Sequence, residues 1–305
     1  MTPSQTIRVR APASSANLGP GFDTLALALG CYLECRLIPA EQGFSVRVTG
    51  EERAGIPSDE TNLTWRSFLH LSGGSAPRGA MLEIANAIPV GKGLGSSAAA
   101  IVAGLALANE WGRLGKNRGE LVQIATEIEG HPDNVAAAVL GGFVVNCQAE
   151  DGRVIAMQRR LGTAMEIVLV VPDAPLATSA ARAALPSEFS RQDAVFNVQR
   201  AALLVTALGD GRADLIREAM RDRLHQPYRA PLIPGLQDAL QLQDISGLLG
   251  VALSGAGPSV VAFCSGNTDQ VGNAIAACFR AKGIQARARV LPVDASGVIA
   301  ERMTE

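Results

Sequence analysis

The feature that most constrains this chain is a glycine-rich loop that leads directly into an apolar helix. The loop and the helix start read Pro89, Val90, Gly91, Lys92, Gly93, Leu94, Gly95, Ser96, Ser97 and Ala98. Glycines let the backbone approach a ligand closely, and a helix start offers unpaired amides and a positive dipole end. The stretch therefore indicates an anion site suited to a triphosphate. Its structural alternative is a tight strand-to-helix turn with serine caps.

The spacing within this loop excludes two common nucleotide-binding motifs. A Walker A loop needs Ser or Thr directly after its Gly-Lys step, whereas Lys92 is followed by Gly93. The dinucleotide fingerprint needs a different glycine spacing and a later acidic residue for the ribose. The hydroxyls of Ser96 and Ser97 could cap the helix, bind phosphate oxygens or reach Mg²⁺.

Composition narrows the function classes further. The chain has 305 residues, 48% of them hydrophobic, which is enough for one large or two medium domains. A formal charge of -2 and only 4% aromatic residues disfavour nucleic acid and anionic membrane as partners. Apolar runs stop short of the roughly 18 residues of a membrane span, and the first ten residues lack a signal core. We therefore expect a cytoplasmic protein.

Hydrophobic periodicity predicts a mixture of strands and helices. Strands are expected over 6–11, 25–38, 44–50, 80–85, 143–147, 166–171, 251–253, 260–263 and 286–293. Helices are expected over 61–71, 98–111, 178–184, 193–208 and 269–282, and another helix should start at a capping box of Asn117 and Glu120. The absence of strict β-α-β alternation favours an α+β fold. The polar segment 148–162 suggests a boundary between domains 1–160 and 161–305.

Four segments resemble motifs of one known family. PVGKGLGSSAAA resembles the phosphate loop of the GHMP kinases, which are named for galactokinase, homoserine kinase, mevalonate kinase and phosphomevalonate kinase. APASSANLGPGFDTLALAL and LSGAGPSVVAF resemble the first and third motifs of the family, and EGHPDNVAAAVLGGF resembles a segment typical of its homoserine kinase branch. The resemblance extends from about residue 7 to about residue 293. It implies two α+β halves with the active site in the cleft between them.

The resemblance also implies an activity and its cofactors. The expected reaction transfers the γ-phosphoryl group of ATP to the side-chain hydroxyl of L-homoserine, with Mg²⁺, as a step in threonine biosynthesis. A loop serine and a helix glutamate would hold the metal; Ser97 is preferred, with Ser96 next. Glu127 and Glu129 remain alternatives for the glutamate. Both lie on the helix predicted to follow Asn117, whose apolar face contains Leu121, Ile124 and Ile128. Glu129 is preferred because it lies roughly 80° from the centre of this face, whereas Glu127 lies roughly 120° from it.

Homoserine carries an ammonium group, which pairs with Asp or Asn, and a carboxylate, which suits Arg. The substrate-binding residues implied by the resemblance are Asn17, Asp23, His131, Thr178, Arg182, Arg229, Gly255 and Gly257. The spacing of four between Thr178 and Arg182 would place both on one helix face. These assignments have structural alternatives. Asp23 could be a turn or helix-cap aspartate, His131 a structural histidine, and the two arginines surface residues. The segment 254–259 could be a simple turn.

The segment HPDNV raises a mechanistic question. Asn134 falls where several relatives have a catalytic aspartate, and an amide cannot accept a proton at neutral pH. Catalysis would then be direct in-line attack by the positioned hydroxyl without a strong protein base. The neighbouring Asp133 is interpreted as structural.

Two alternatives remain open at this level. Another GHMP kinase would act on mevalonate, an isoprenoid intermediate or a sugar, whereas Asp23, Arg182 and Arg229 favour a zwitterionic amino acid. A non-catalytic ligand-binding relative would have kept only the fold, whereas the intact loop and Glu129 favour catalysis. The resemblance also suggests a homodimer, for which the sequence shows no interface.

Overall fold

The computed structural model of this chain describes residues 5–162, 165–174 and 176–303. Its strands are β1 (Ile7–Asn17), β2 (Gly21–Pro39), β3 (Gly43–Thr49), β4 (Gly79–Asn86), β5 (Phe143–Gln148), β6 (Val154–Arg159), β7 (Glu166–Pro172), β8 (Leu248–Leu253), β9 (Val260–Cys264), β10 (Ala286–Leu291) and β11 (Ile299–Arg302). Its helices are α1 (Leu63–Leu71), α2 (Ser96–Gly112), α3 (Arg118–Glu129), α4 (Asp133–Leu140), α5 (Thr178–Ala183), α6 (Arg191–Asp210), α7 (Ile216–Ala219), α8 (Gln226–Arg229), α9 (Leu236–Leu240) and α10 (Thr268–Arg280). This mixture confirms the α+β prediction.

The strands form two separate sheets. The first has seven strands, with β11, β1, β2, β4 and β3 in sequence across it and β5 and β6 branching from β2. Within it only β3 and β4 are paired in parallel among the described strands. The second sheet has the order β10, β7, β9, β8 and is antiparallel.

Helix α2 lies at the centre of the first half. It packs against β1, and α1, α3 and α4 pack against it. Nearly every side chain from Ala98 to Ala108 is buried, as expected for a helix that is apolar on all sides. Because its N-terminus follows Gly95 directly, this rigid helix fixes the end of the glycine-rich loop.

The second half packs helices against its own sheet. Helix α10 contacts β7 and β10, and α9 contacts β8. The predicted division at residue 160 falls in the link between β6 and β7, and it stays a prediction. Strand β11 lies far beyond that point yet pairs with β1, with Ile7 opposite Arg302 and Arg10 opposite Ile299.

Several elements differ from the sequence predictions. Strand β1 continues past residue 11 to Asn17, because its buried Ser14 and Ser15 hydrogen-bond to side chains from distant parts of the chain. The segment 148–162, expected to be a polar stretch near a domain boundary, contains the edge strand β6, whose side chains are mostly exposed. Helix α4 begins directly after Pro132 and is not among the helices expected from the sequence. Within the described residues, no helix is both long and apolar enough to cross a membrane.

Candidate active site

A cavity of about 510 Å³ lies between the two halves. The predicted site residues that line it are Asn17, Asp23, residues 90–97 of the loop, Glu129, His131, Asn134, Thr178, Arg182, Arg229 and Gly255. Three predicted residues do not line it: Pro89, Ala98 and Gly257. Pro89 and Ala98 are buried, and Gly257 packs behind the loop. The cleft location expected from the resemblance is therefore where the predicted residues meet.

The glycine-rich loop is held between strand β1 and the turn 254–259. The amide of Ser14 donates to Leu94 O at 3.1 Å, and the Ser254 hydroxyl donates to Gly93 O at 2.7 Å. A Cβ on Gly93 would lie 2.3 Å from Ser254 O, and one on Gly95 would lie 2.1 Å from Ser14 Oγ. Both glycines also have positive φ. Only glycine fits these two positions, because both the space and the backbone conformation exclude a side chain.

Lys92 does not extend freely into the cavity. Its Nζ donates to Pro172 O at 2.9 Å and to Ala174 O at 3.0 Å, at the end of β7. The lysine therefore ties the loop to the second half. No sequence pattern indicated this role, since both acceptors are main-chain carbonyls about 80 residues away.

The structure distinguishes the two candidate glutamates. Ser97 Oγ donates to Glu129 Oε1 at 2.5 Å, and both residues line the cavity. Burial raises the pKa of Glu129 above its ordinary value. Glu127 is exposed, accepts a hydrogen bond from Gln123 and lies in a different surface pocket. Of the two, Glu129 alone is in a position to act together with the loop serine.

Asp23 and Arg182 meet across the cleft. The guanidinium donates to both carboxylate oxygens, Nη2 to Oδ1 at 2.9 Å and Nη1 to Oδ2 at 3.1 Å. Asn17 supports the aspartate: its Oδ1 accepts from the Asp23 amide, and its Nδ2 donates to Gly255 O. Thr178 and Arg182 both line the cavity, as their helical spacing predicts.

Arg229 is the most buried cation of the site, with 2% of its surface exposed. Its pKa is lowered to about 10, by burial first and then by the nearby charge of Arg182. At neutral pH it still carries its charge. Both guanidinium groups lie over the ring of Phe22, at 5.7 Å for Arg182 and 5.4 Å for Arg229. Two cations therefore converge on the part of the cavity that holds Asp23.

The segment at the start of α4 forms a network of hydrogen bonds. Asp133 is buried and its Oδ1 accepts from the amide of Asn134 at 2.6 Å. His131 Nδ1 lies 3.1 Å from the same oxygen, and this hydrogen bond raises the pKa of the imidazole. Asn134 Oδ1 accepts from Ser14 Oγ at 2.8 Å. Oδ1 of Asp133 is thus held by its neighbours, Asp133 also lines the cavity, and the Asn134 amide is fixed at the cavity wall.

An apolar end of the cavity was missed by the sequence analysis. It is formed by Leu33, Gly55, Ile56, Pro57, Leu63, Ile84, Val90 and Ala100. These residues come from β2, β4, the segment that precedes α1, the start of α1, α2 and the glycine-rich loop, and no single motif connects them. The arrangement would accept a flat apolar ring beside the phosphate loop.

This fold and site define a class of phosphotransferase, and the chain belongs to the GHMP kinase family. The family model described as "GHMP kinases N terminal domain" matches residues 62–142, and the one described as "GHMP kinases C terminal" matches residues 204–285. Among similar proteins, the homoserine kinase of Solibacter usitatus is 46% identical, with 90% of each chain covered. That of Desulfitobacterium hafniense is 45% identical over 95% of this chain and 98% of its own. A crystal structure of homoserine kinase from Cytophaga hutchinsonii superposes with a TM-score of 0.85 at 28% identity, covering 99% of both chains.

Proposed function

We propose that this protein transfers the γ-phosphoryl group of ATP to the side-chain hydroxyl of L-homoserine, giving O-phospho-L-homoserine and ADP. This is a step of threonine biosynthesis. The relatives named homoserine kinase support the assignment. The observation that carries it is a single cavity that holds a phosphate loop together with Asp23, Arg182 and Arg229. A zwitterionic alcohol fits this combination, whereas mevalonate and sugars have no ammonium group for Asp23.

ATP would lie with its base in the apolar end and its phosphates along the loop. Amides at the start of α2 and the positive end of its dipole face the loop, where they stabilise negative charge. The close packing of Gly93 against the turn 254–259 leaves main-chain groups, not side chains, to surround the phosphates.

The donor set also fits Mg²⁺. Ser97 Oγ and Glu129 Oε1 are hard oxygen donors that already lie together beside the loop. No group of three or more potential His, Cys, Asp or Glu ligands occurs in the described part of the chain, which suits an ion completed by phosphate and water oxygens. When bound, Mg²⁺ would neutralise charge that develops on the phosphates. Ser97 and Glu129 would hold it there.

The acceptor would replace the ion pair of Asp23 and Arg182. The ammonium group of the acceptor would pair with the carboxylate of Asp23. The carboxylate of the acceptor would pair with Arg229 and with Arg182, which no longer contacts Asp23. Asp23 and Arg182 would each exchange one charged partner for another, and Arg229 would gain an anionic partner.

The hydroxyl would attack the γ-phosphorus directly, forming one P–O bond as the bond to ADP breaks. Asn134 cannot serve as a base, and Oδ1 of Asp133 is held by His131 and Asn134, which supports a structural role for Asp133. Phosphoryl transfer relies on positioning and charge stabilisation more than on early proton removal. The proton would pass to a phosphoryl oxygen as the new bond forms.

A coupled ADP-release assay tests the proposal. L-homoserine, L-serine, mevalonate and shikimate would be compared as acceptors with Mg-ATP. We expect the highest kcat/KM for L-homoserine; a higher value for mevalonate or shikimate would refute the substrate assignment. A cytoplasmic location and a homodimer remain predictions from the sequence.

A further inference from the structure

The guanidinium of Arg229 is held by hydrogen bonds on two of its three nitrogens. Nε donates to Ala181 O at 3.2 Å, and Nη1 donates to Gly255 O at 3.0 Å. Nη1 also lies 3.3 Å from His225 Nδ1. Nη2 donates to no described residue, and it is not among the fully buried unpaired atoms. Since Arg229 lines the cavity, Nη2 is the nitrogen left for a ligand.

The contacts of His225 determine its tautomer. Nε2 lies 2.7 Å from Gly19 O, and a carbonyl oxygen can only accept, so Nε2 carries the proton. Burial lowers the pKa of this fully buried imidazole, which keeps it neutral. Nδ1 is then a lone-pair acceptor, which the Nη1 group of Arg229 requires.

The imidazole is itself fixed from several directions. The ring of Phe22 stacks on it with centroids 5.4 Å apart. Asp222 accepts from the main-chain amides of residues 224, 225 and 226 and thereby fixes the backbone that leads into α8. Both His225 and Arg229 depend on this short segment, so their side chains are placed as one unit.

We propose that His225 is a positioning residue that, as a neutral acceptor, holds Arg229 with Nη2 directed at the carboxylate of the acceptor substrate. The inference rests on the proposed function. The charged groups that face His225 are Asp222, with Oδ2 at 3.6 Å from Nε2, Arg229 and Asp23. If Nδ1 carried a proton, it would be a hydrogen-bond donor facing Nη1 of Arg229, which is also a donor. The guanidinium would then keep only its hydrogen bonds to Ala181 O and Gly255 O.

Two amide variants separate the two ring nitrogens. In His225→Asn the side-chain oxygen can take the place of Nδ1 as acceptor. In His225→Gln the amide nitrogen can reach Gly19 O, but Arg229 loses its acceptor. We expect His225→Gln to raise the homoserine KM about tenfold or more, and His225→Asn to raise it clearly less. The ATP KM should stay within about twofold in both, since hydrogen bonds of this size act locally.

The outcomes distinguish the two proposals. If Arg229→Ala leaves the homoserine KM unchanged, the assignment of the acceptor site under the proposed function is wrong. If Arg229→Ala raises that KM while both His225 variants match the wild type, only the role of His225 is overturned. Equal losses in the two His225 variants, with both substrate KM values raised, would indicate a structural role and also overturn it.

A measurement on the wild-type protein does not depend on whether variants fold. The chain has three histidines, so ¹⁵N shifts of its imidazoles can be assigned. We expect one histidine with a protonated Nε2 and a bare Nδ1 from about pH 6 to pH 8, around the ordinary histidine pKa. A His225 signal with a protonated Nδ1 in this range would overturn the inference.

Discussion

Arg182 and Asp23 form a two-point ion pair that joins α5 to β2 across the cleft, 159 positions apart in the chain. Their side chains remain 39% and 35% exposed. Ion pairs with this much exposure stabilise a fold by only about 0–1 kcal/mol. A zwitterionic ligand that supplies both a cation and an anion can therefore separate the pair at small cost.

The first prediction concerns Asp23→Asn. Losing the carboxylate removes the partner of the substrate ammonium group, so we expect the homoserine KM to rise about tenfold or more, with a smaller change in the ATP KM. The free energy of unfolding should change by less than about 1 kcal/mol. Steady-state kinetics and urea denaturation measure the two effects.

Asp214→Asn is the matched control for this variant. It breaks an exposed pair with Arg212 and does not line the cavity. An equal rise of the homoserine KM in both variants would contradict the assigned role of Asp23.

The second prediction separates Glu129 from Glu127. Glu129→Gln should raise the Mg²⁺ concentration needed for half-maximal rate sharply, because the anionic oxygen beside Ser97 is lost. Glu127→Gln should leave the Mg²⁺ requirement unchanged. Titration of initial rate with Mg²⁺ at fixed ATP measures both, and an unchanged requirement in Glu129→Gln would refute the metal assignment.

The third prediction concerns the pH dependence of stability in the ligand-free protein. Because burial raises the pKa of Glu129, the folded state binds this proton more tightly than the unfolded state does. Its contribution to stability is fully present below the ordinary glutamate pKa and is lost as pH rises through the raised value. Glu129→Gln should therefore gain stability relative to the wild type as pH rises. Urea denaturation across about pH 4 to 7 tests this, and a constant difference would count against it.

The fourth prediction concerns Asp133→Asn. If Asp133 only orders its surroundings, kcat should fall by less than about tenfold, since binding groups and loop stay in place. Stability should fall by about 1–3 kcal/mol, because the buried acceptor of the Asn134 amide is weakened. A loss of several orders of magnitude in kcat with an intact fold would instead identify Asp133 as the base.

The fifth prediction concerns Lys92→Met. The variant loses two hydrogen bonds from an ammonium group to the carbonyls of Pro172 and Ala174, so unfolding free energy should fall by about 1.5–3 kcal/mol. Lys116→Met is the control, because Lys116, just before α3, makes an exposed pair with Glu120 in the first turn of that helix. Equal stability of the two variants would show that the tie between the halves contributes nothing.

Several features of the fold and of the candidate site could be predicted from short sequence patterns. The capping box of Asn117 and Glu120 is present with both hydrogen bonds, at 2.9 and 3.0 Å. The apolar run after Ser97 is the buried helix α2. The helix wheel also ranked Glu129 above Glu127 in burial, as the structure has it. In each case the sequence pattern that carries the prediction spans only a short segment of the chain.

The features that could not be predicted from the sequence are contacts between residues far apart in the chain. Ser14 and Ser15 look like loop residues until Asn134 and Ser254 satisfy them inside a strand. Lys92 looked like part of a phosphate cradle, yet its acceptors are carbonyls of β7. Main-chain acceptors leave no trace in residue identity, so no pattern could have indicated this contact.

The pairing of β11 with β1 has a consequence for the order of assembly. Strand β1 is synthesised well before β11, its partner on one side, because Ile7 pairs with Arg302 and Arg10 with Ile299. Until then β1 keeps an open hydrogen-bonding edge, which invites pairing with other chains. We expect the nascent first half to depend on chaperone protection until β11 has been synthesised and completes the sheet that supports the phosphate loop.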